Sequence, residues 1–259
     1  MELKHTITEP LSPTKYVDPK LYESCMRLQQ EQNNRGLISE TQFEDDCLLA
    51  VMNEARKILV LELGAGYGRI SVNASKAAKS MSKEYYCIAV EAEPTHYIWC
   101  RENFCTNDIE GKVIHSAVSD KLGSAYFLIG SPESQYGQRM LSWTLGVLFS
   151  LLKRATVIQS IPLDHLIRIA HCTRAFPVFM HMDIQGAELN VLTACQQLST
   201  VEYLYVNTHK HNHCKVLKLL QKSHIIAAEL PPNSKTSVRN VGIVATQDGI
   251  IFGVRNDLV

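Results

Sequence analysis

Neither sign of charge is in excess in this chain: Lys plus Arg and Asp plus Glu each number 26 in 259 residues. No global field draws it to polyanions, so nucleic acid and acidic membrane surfaces are not expected partners. Eight cysteines are present, but no two form a Cys-x-x-Cys pair. Zinc-ribbon and thioredoxin-type readings therefore lack their spacing, and reduced, mostly buried thiols in a cytoplasmic protein are expected. Nowhere does an apolar run reach the roughly 20 residues that span a bilayer. Met1-Glu2-Leu3-Lys4-His5 opens without the apolar core of a signal peptide. Internal repeats and low-complexity tracts are also missing, while a 46% hydrophobic share is that of a globular chain.

What is present divides at about residue 56. Met1 to Pro19, with three prolines, reads as an extended arm, and Leu21–Gln32 and Glu40–Asn53 as helices, the second opened by a Thr41/Glu44 capping box. Residues 1–55 are thus expected to form an arm and helical extension ahead of an α/β domain over 56–259. In that domain Ile58–Leu61 is an apolar run without alternation, as in a parallel strand buried on both faces. A glycine turn and a helix through Lys79 follow. Strands are expected at Tyr86–Val90, Val113–Val118, Ala125–Ile129, Val178–Met182 and Tyr203–Val206, with helices at Thr95–Cys105 and Ala187–Gln197. This alternation predicts a doubly wound, mostly parallel Rossmann-like sheet. Val241–Ala245 and Ile250–Val254 flank Thr246-Gln247-Asp248-Gly249, which predicts a closing antiparallel hairpin.

The chemistry starts at Glu62-Leu63-Gly64-Ala65-Gly66-Tyr67-Gly68, between strand and helix, where open α/β sheets bind ligands. A dinucleotide fingerprint would place its third glycine at Arg69, and a phosphate loop would need Gly-Lys-Ser/Thr. Both patterns fail, and Glu62 would repel a pyrophosphate. A carboxylate there suits the cationic amino-acid end of S-adenosylmethionine. One βα unit on, Glu91 in Val90-Glu91-Ala92-Glu93-Pro94 is placed to accept hydrogen bonds from ribose hydroxyls. Ser119 and Asp120, after Ser116-Ala117-Val118, are candidates to meet an adenine amino group.

These segments, with Met182-Asp183-Ile184-Gln185-Gly186-Ala187-Glu188, resemble the FkbM family of S-adenosylmethionine-dependent methyltransferases over roughly Gln42 to Tyr205. The resemblance implies cofactor contacts from Glu62, Gly64, Gly66, Tyr67, Glu91, Ala92, Ser119, Asp120 and Asp183, with S-adenosylhomocysteine as product. Gln185 departs from the family's usual Glu, and Gly66 from its common Asn. Most members are similar to O-methyltransferases of sugar or polyketide hydroxyls, and some methylate nitrogen.

Asp183 ends an apolar strand, so it is expected at the sheet's carboxyl edge as acceptor orienter or base. His209, just past the next strand, is the expected general base, with an ordinary imidazole pKa near 6.5. Glu188 reads as structural. His209, His211 and His213 also permit a divalent metal, which is not favoured because no familiar ligand spacing is met. The insert Ser131 to Lys153 reads as a lid presenting Tyr136, Ser142 and Trp143, or as a helix packed on the domain or a second subunit. The expected activity is O-methylation of a small-molecule, glycan or peptide-type acceptor, with a homodimer possible. An N-methyltransferase and a catalytically silent binding protein are the alternatives.

Overall fold

The computed structural model describes residues 36–128, 140–141, 143–152, 154–209 and 211–258. The expected arm, the Leu21–Gln32 helix, Tyr136 and Ser142 lie outside them. The described chain opens with strand β1 (Ile38–Ser39) and helix α1 (Glu40–Glu54), then runs β2 (Lys57–Leu63), α2 (Arg69–Ser80), β3 (Glu84–Glu91), α3 (Pro94–Thr106) and β4 (Gly111–His115). Three strands come next: β5 (Ala117–Ser119), β6 (Gly123–Leu128) and β7 (Met140–Leu141). Helix α4 (Trp143–Leu151), β8 (Ala155–Pro162), α5 (Leu163–Thr173), β9 (Val178–Met182) and α6 (Glu188–Ala194) lead back to the centre. The end comprises β10 (Tyr203–Thr208), α7 (His213–Leu220), β11 (His224–Leu230), β12 (Lys235–Val238), β13 (Gly242–Ala245) and β14 (Gly249–Arg255).

Seven strands form the main sheet, in the order β11-β14-β10-β9-β2-β3-β4. The five from β10 to β4 run parallel, and β14 is antiparallel to both β10 and β11. Chain order reverses between β2 and β9, which opens a crevice beyond their carboxyl ends. Strand alternation sorts the side chains: Ile58 and Val60 join a core under α1, α2 and α3, while Leu59, Leu61 and Leu63 join one under α5, α6 and α7. The result is a three-layer αβα sandwich.

Several expectations need correction. Helix α1 is capped by Ser39, whose hydroxyl accepts from the Gln42 amide at 3.2 Å, and not by Thr41. Phe43, Cys47, Leu48, Val51 and Met52 of α1 are at most 1% exposed and share the core of β2 and α2, so the boundary at residue 55 divides one core. The run Val113–Val118 is two strands, because the chain leaves the main sheet at Ser116. There β5 pairs with β8, and β8 with an antiparallel β6, in a second sheet ordered β5-β8-β6-β7. The closing hairpin does not form: β13 pairs with β1 and β12 in a third sheet, while β14 enters the main one. Helix α4, in the expected lid, packs Gly146 on Tyr126 of β6 and leaves Leu145, Leu148 and Leu151 exposed. Among the described residues, no helix is long and apolar enough to cross a membrane.

Candidate active site

The glycine turn leaves β2 with Gly64, Gly66 and Gly68 all at positive φ. At Gly64, with φ +76°, a Cβ would lie 1.8 Å from the Asp183 carbonyl oxygen. Only glycine lets β2 and β9 come this close at the head of the crevice. The amides of Gly64 and Ala65 donate to the Val90 carbonyl at 3.0 and 3.1 Å, and the Gly66 amide donates to Glu91 Oε2 at 2.6 Å.

Glu62 does not present its carboxylate to the crevice. It shares the face of Val60, beneath α2, and is 2% exposed. Oε1 accepts from the Ile70 amide at 3.0 Å, and Oε2 from the Ser71 amide and hydroxyl at 3.0 and 2.6 Å. Helix α2 has Gly68 at its N-cap and no side-chain cap of its own, so Glu62 caps it from the strand and meets the positive end of its dipole. Burial raises the Glu62 pKa despite these bonds. The expected role against a cationic ligand tail is corrected to one of holding the turn.

Glu91 lies on the crevice wall, with Ala92 beside it. Its Oε1 takes the amides of Ala92 and Glu93 at 2.9 and 2.7 Å. A carboxylate has about four acceptor sites, so Oε2, bonded among the described residues only to Gly66, keeps one for a ligand hydroxyl. Burial pushes the Glu91 pKa up to about 7. The far wall is made by Ala117, Val118 and Phe127, which give the crevice an apolar side facing Glu91. Ser119 and Asp120 do not line it. The Ser119 hydroxyl donates to Asp120 at 3.2 Å where β5 turns away to pair with β8, and Asp120 is exposed. Tyr67 also lies off the wall, its carbonyl accepting from the Asn103 amide group at 2.7 Å.

Asp183 forms the opposite rim together with Ile184 and Gln185. Gln185, in the left-handed region at φ +54°, folds back so that Nε2 donates to Asp183 Oδ1 at 2.9 Å. Asn207 at the end of β10 donates to Oδ2 at 3.4 Å. Burial raises the Asp183 pKa. Beside it, His209 is 9% exposed, with Nδ1 2.8 Å from Glu188 Oε1 and Nε2 3.5 Å from both Asp183 and Asp248. Burial alone would lower the His209 pKa, but the bond to Glu188 and the charges of Asp183, Glu188 and Asp248 push it up to about 9. His209 is therefore an imidazolium at neutral pH, and the expectation of a free base there is corrected.

Glu188, read from sequence as structural, is fully buried and also accepts from the Gly186 amide at 2.8 Å. A carboxylate removed from water needs a cation, and His209 supplies it. His213 turns elsewhere, with Nδ1 2.8 Å from the Thr208 hydroxyl and Nε2 2.9 Å from Glu229. Among the described residues, no group of three or more His, Cys, Asp or Glu side chains is arranged to hold a metal ion.

Residues 62–223, well over half of the chain, match the family model described as the FkbM methyltransferase domain. No curated protein matches. Similar solved structures include a precorrin-6y C5,15-methyltransferase from Geobacter metallireducens GS-15, 12% identical over 82% of this chain and 87% of that one, with a TM-score of 0.43. TehB from Haemophilus influenzae is 8% identical over 81% of this chain and 61% of that one, with a TM-score of 0.42.

Proposed function

Given that the chain belongs to the FkbM family of S-adenosylmethionine-dependent methyltransferases, we propose that it methylates a hydroxyl of a small-molecule, glycan or peptide-type acceptor. The supporting observation is a carboxylate, Asp183, at the rim of the crevice, fixed by Gln185 and Asn207 and flanked by the His209 imidazolium.

The crevice fits the family's cofactor. Gly64 and Gly66 bring bare backbone to its head, Glu91 Oε2 keeps one acceptor position for a ribose hydroxyl, and Ala117, Val118 and Phe127 offer an apolar wall to adenine. With Glu62 turned beneath α2, Asp183 is the acid left to face the cofactor's amino-acid end or the acceptor. When bound, S-adenosylmethionine supplies an electrophilic methyl group on a sulfonium centre. Asp183 accepts the proton of the acceptor hydroxyl, and its raised pKa makes it a stronger base than an ordinary carboxylate. His209, clamped by Glu188, stands 3.5 Å from Asp183 and balances the charge of the two acids.

Calorimetry tests the cofactor: S-adenosylmethionine and S-adenosylhomocysteine should bind and NAD should not. Mass spectrometry of hydroxylated metabolites, glycans and peptides, incubated with a deuterium-labelled methyl donor, tests the acceptor. A label recovered only on nitrogen would overturn the hydroxyl assignment. Asp183→Asn should lower turnover about 100-fold or more.

A further inference from the structure

We propose that Asp248, held in place by Glu40, completes an acceptor subsite with Asp183 and His209 that selects vicinally hydroxylated molecules and rejects anionic ones. The inference rests on the methyltransferase reading and extends it to substrate class. Both Asp248 and Glu40 lie outside the family-matched segment.

Glu40, the first residue of α1, accepts from the backbone amides of Gln247 and, at 2.9 Å, Asp248. The turn entering β14 is thereby tied to a helix 208 residues away in sequence. This bond sets Asp248 across from Asp183, each 3.5 Å from His209 Nε2. At that separation the N–H is committed to neither acid. Among the described residues Nε2 is buried without a hydrogen-bond partner, a position that an incoming oxygen can complete. Asp248 is 47% exposed and Asp183 31%, so the pair opens to solvent while the imidazole behind them does not.

The donor set defines the ligand. One N–H donor between two acceptor-only carboxylates matches a hydroxyl oxygen that accepts from His209 while its own hydrogen, and that of a neighbouring hydroxyl, donate to the two acids. With Glu188 counted, three carboxylates surround one imidazolium, so a carboxylate or phosphate on the acceptor meets net repulsion. A diol without an anionic group satisfies both constraints.

The test uses histidine-¹⁵N-labelled full-length protein saturated with S-adenosylhomocysteine. It is titrated with methyl α-glucopyranoside and the corresponding methyl glucuronide, following the His209 Nε2–H resonance. The neutral glycoside should shift that resonance saturably, with about tenfold tighter binding than the glucuronide. Asp248→Asn should bring the two within about twofold. Glu40→Ala should do the same and Glu40→Gln, which keeps the acceptor oxygen, should restore the preference; a merely structural Glu40 would not move it. An unmoved resonance, equal binding of the glucuronide to wild type, or a preference that survives Asp248→Asn would each overturn the proposal. Calorimetric failure to bind S-adenosylhomocysteine would instead remove the methyltransferase premise, so the two failures are distinguishable.

Discussion

Replacing Glu188 by Gln should flatten the alkaline limb of the protein's stability profile. In the folded state His209 titrates at about 9 against an ordinary 6.5. A raised folded-state pKa stabilises the fold fully below 6.5, and that contribution is lost as pH rises through about 9. A difference of this size corresponds to about 3 kcal/mol. Among the described residues Glu188 makes the only hydrogen bond to the imidazole and is one of three nearby acids. Glutamine keeps an acceptor oxygen but removes the charge, so the variant should lose about 1–2 kcal/mol of this pH-dependent contribution. Glu91 and Glu40, raised by burial to about 7 and about 6, also lose stability with rising pH, but in a lower window and in both proteins. The assay is urea unfolding of both proteins across that range, read as the difference between the curves. Curves that stay parallel between about pH 6.5 and 9 would refute the imidazolium assignment and with it the mechanism's use of His209.

The crevice yields three further outcomes. Glu62→Ala removes the cap of α2 and should cost about 2–3 kcal/mol in denaturant unfolding, with cofactor affinity reduced less than about tenfold; a large affinity loss at unchanged stability would return Glu62 to the ligand. Glu91→Ala should weaken S-adenosylhomocysteine binding by about 1–3 kcal/mol in calorimetry, and unchanged affinity would reject the ribose assignment. Gly64→Ala should destabilise by more than about 2 kcal/mol in thermal unfolding, because both φ and the Asp183 carbonyl exclude a methyl group; a wild-type melt would show that this approach is not tight in solution.

The centre of the fold is legible because its rules are local. An apolar strand entering a glycine turn identifies β2 and α2, and strand ends identify Asp183 and Glu91 as crevice residues. What escapes the sequence is governed by partners distant in the chain. Val113–Val118 reads as one strand, and only the pairing of Ala117 with Ser160 draws its second half into another sheet. The half-exposed strand Ala155–Pro162 and helix α5 have no motif to mark them. Asp248-Gly249 carries the local signature of a hairpin, but Thr246 bonds to Pro231 and Ser234 while Glu40 holds the next two amides, so the flanking strands part. At the site, His209 is found by its place after β10, whereas its charge state depends on Glu188 and Asp248, residues read singly as a helix acid and a turn acid. Glu62 is misread because its strand face, set by Val60 on one side and Leu61 and Leu63 on the other, decides whether it meets helix or ligand.

Helix α1 supports the same conclusion from the side of stability. If residues 1–55 were a separable extension, a chain beginning at residue 56 would fold and bind the cofactor. Phe43, Leu48, Val51 and Met52 are each at most 1% exposed against the sheet and α2. At about 1.5–3 kcal/mol for each buried side chain, their loss removes about 6–12 kcal/mol. That spans most of the 5–15 kcal/mol typical of a whole domain. The deletion also strands buried polar groups: Arg69 loses Glu44 and Asp45, and His181, which stacks on Tyr205 and whose pKa burial lowers to about 4, loses Glu44. The fragment 56–259 should therefore be unfolded or aggregated, with no cooperative melt and no binding of S-adenosylhomocysteine. A cooperative melt with retained binding would make α1 an accessory, and Glu40 would then be too loosely held to set the position of Asp248.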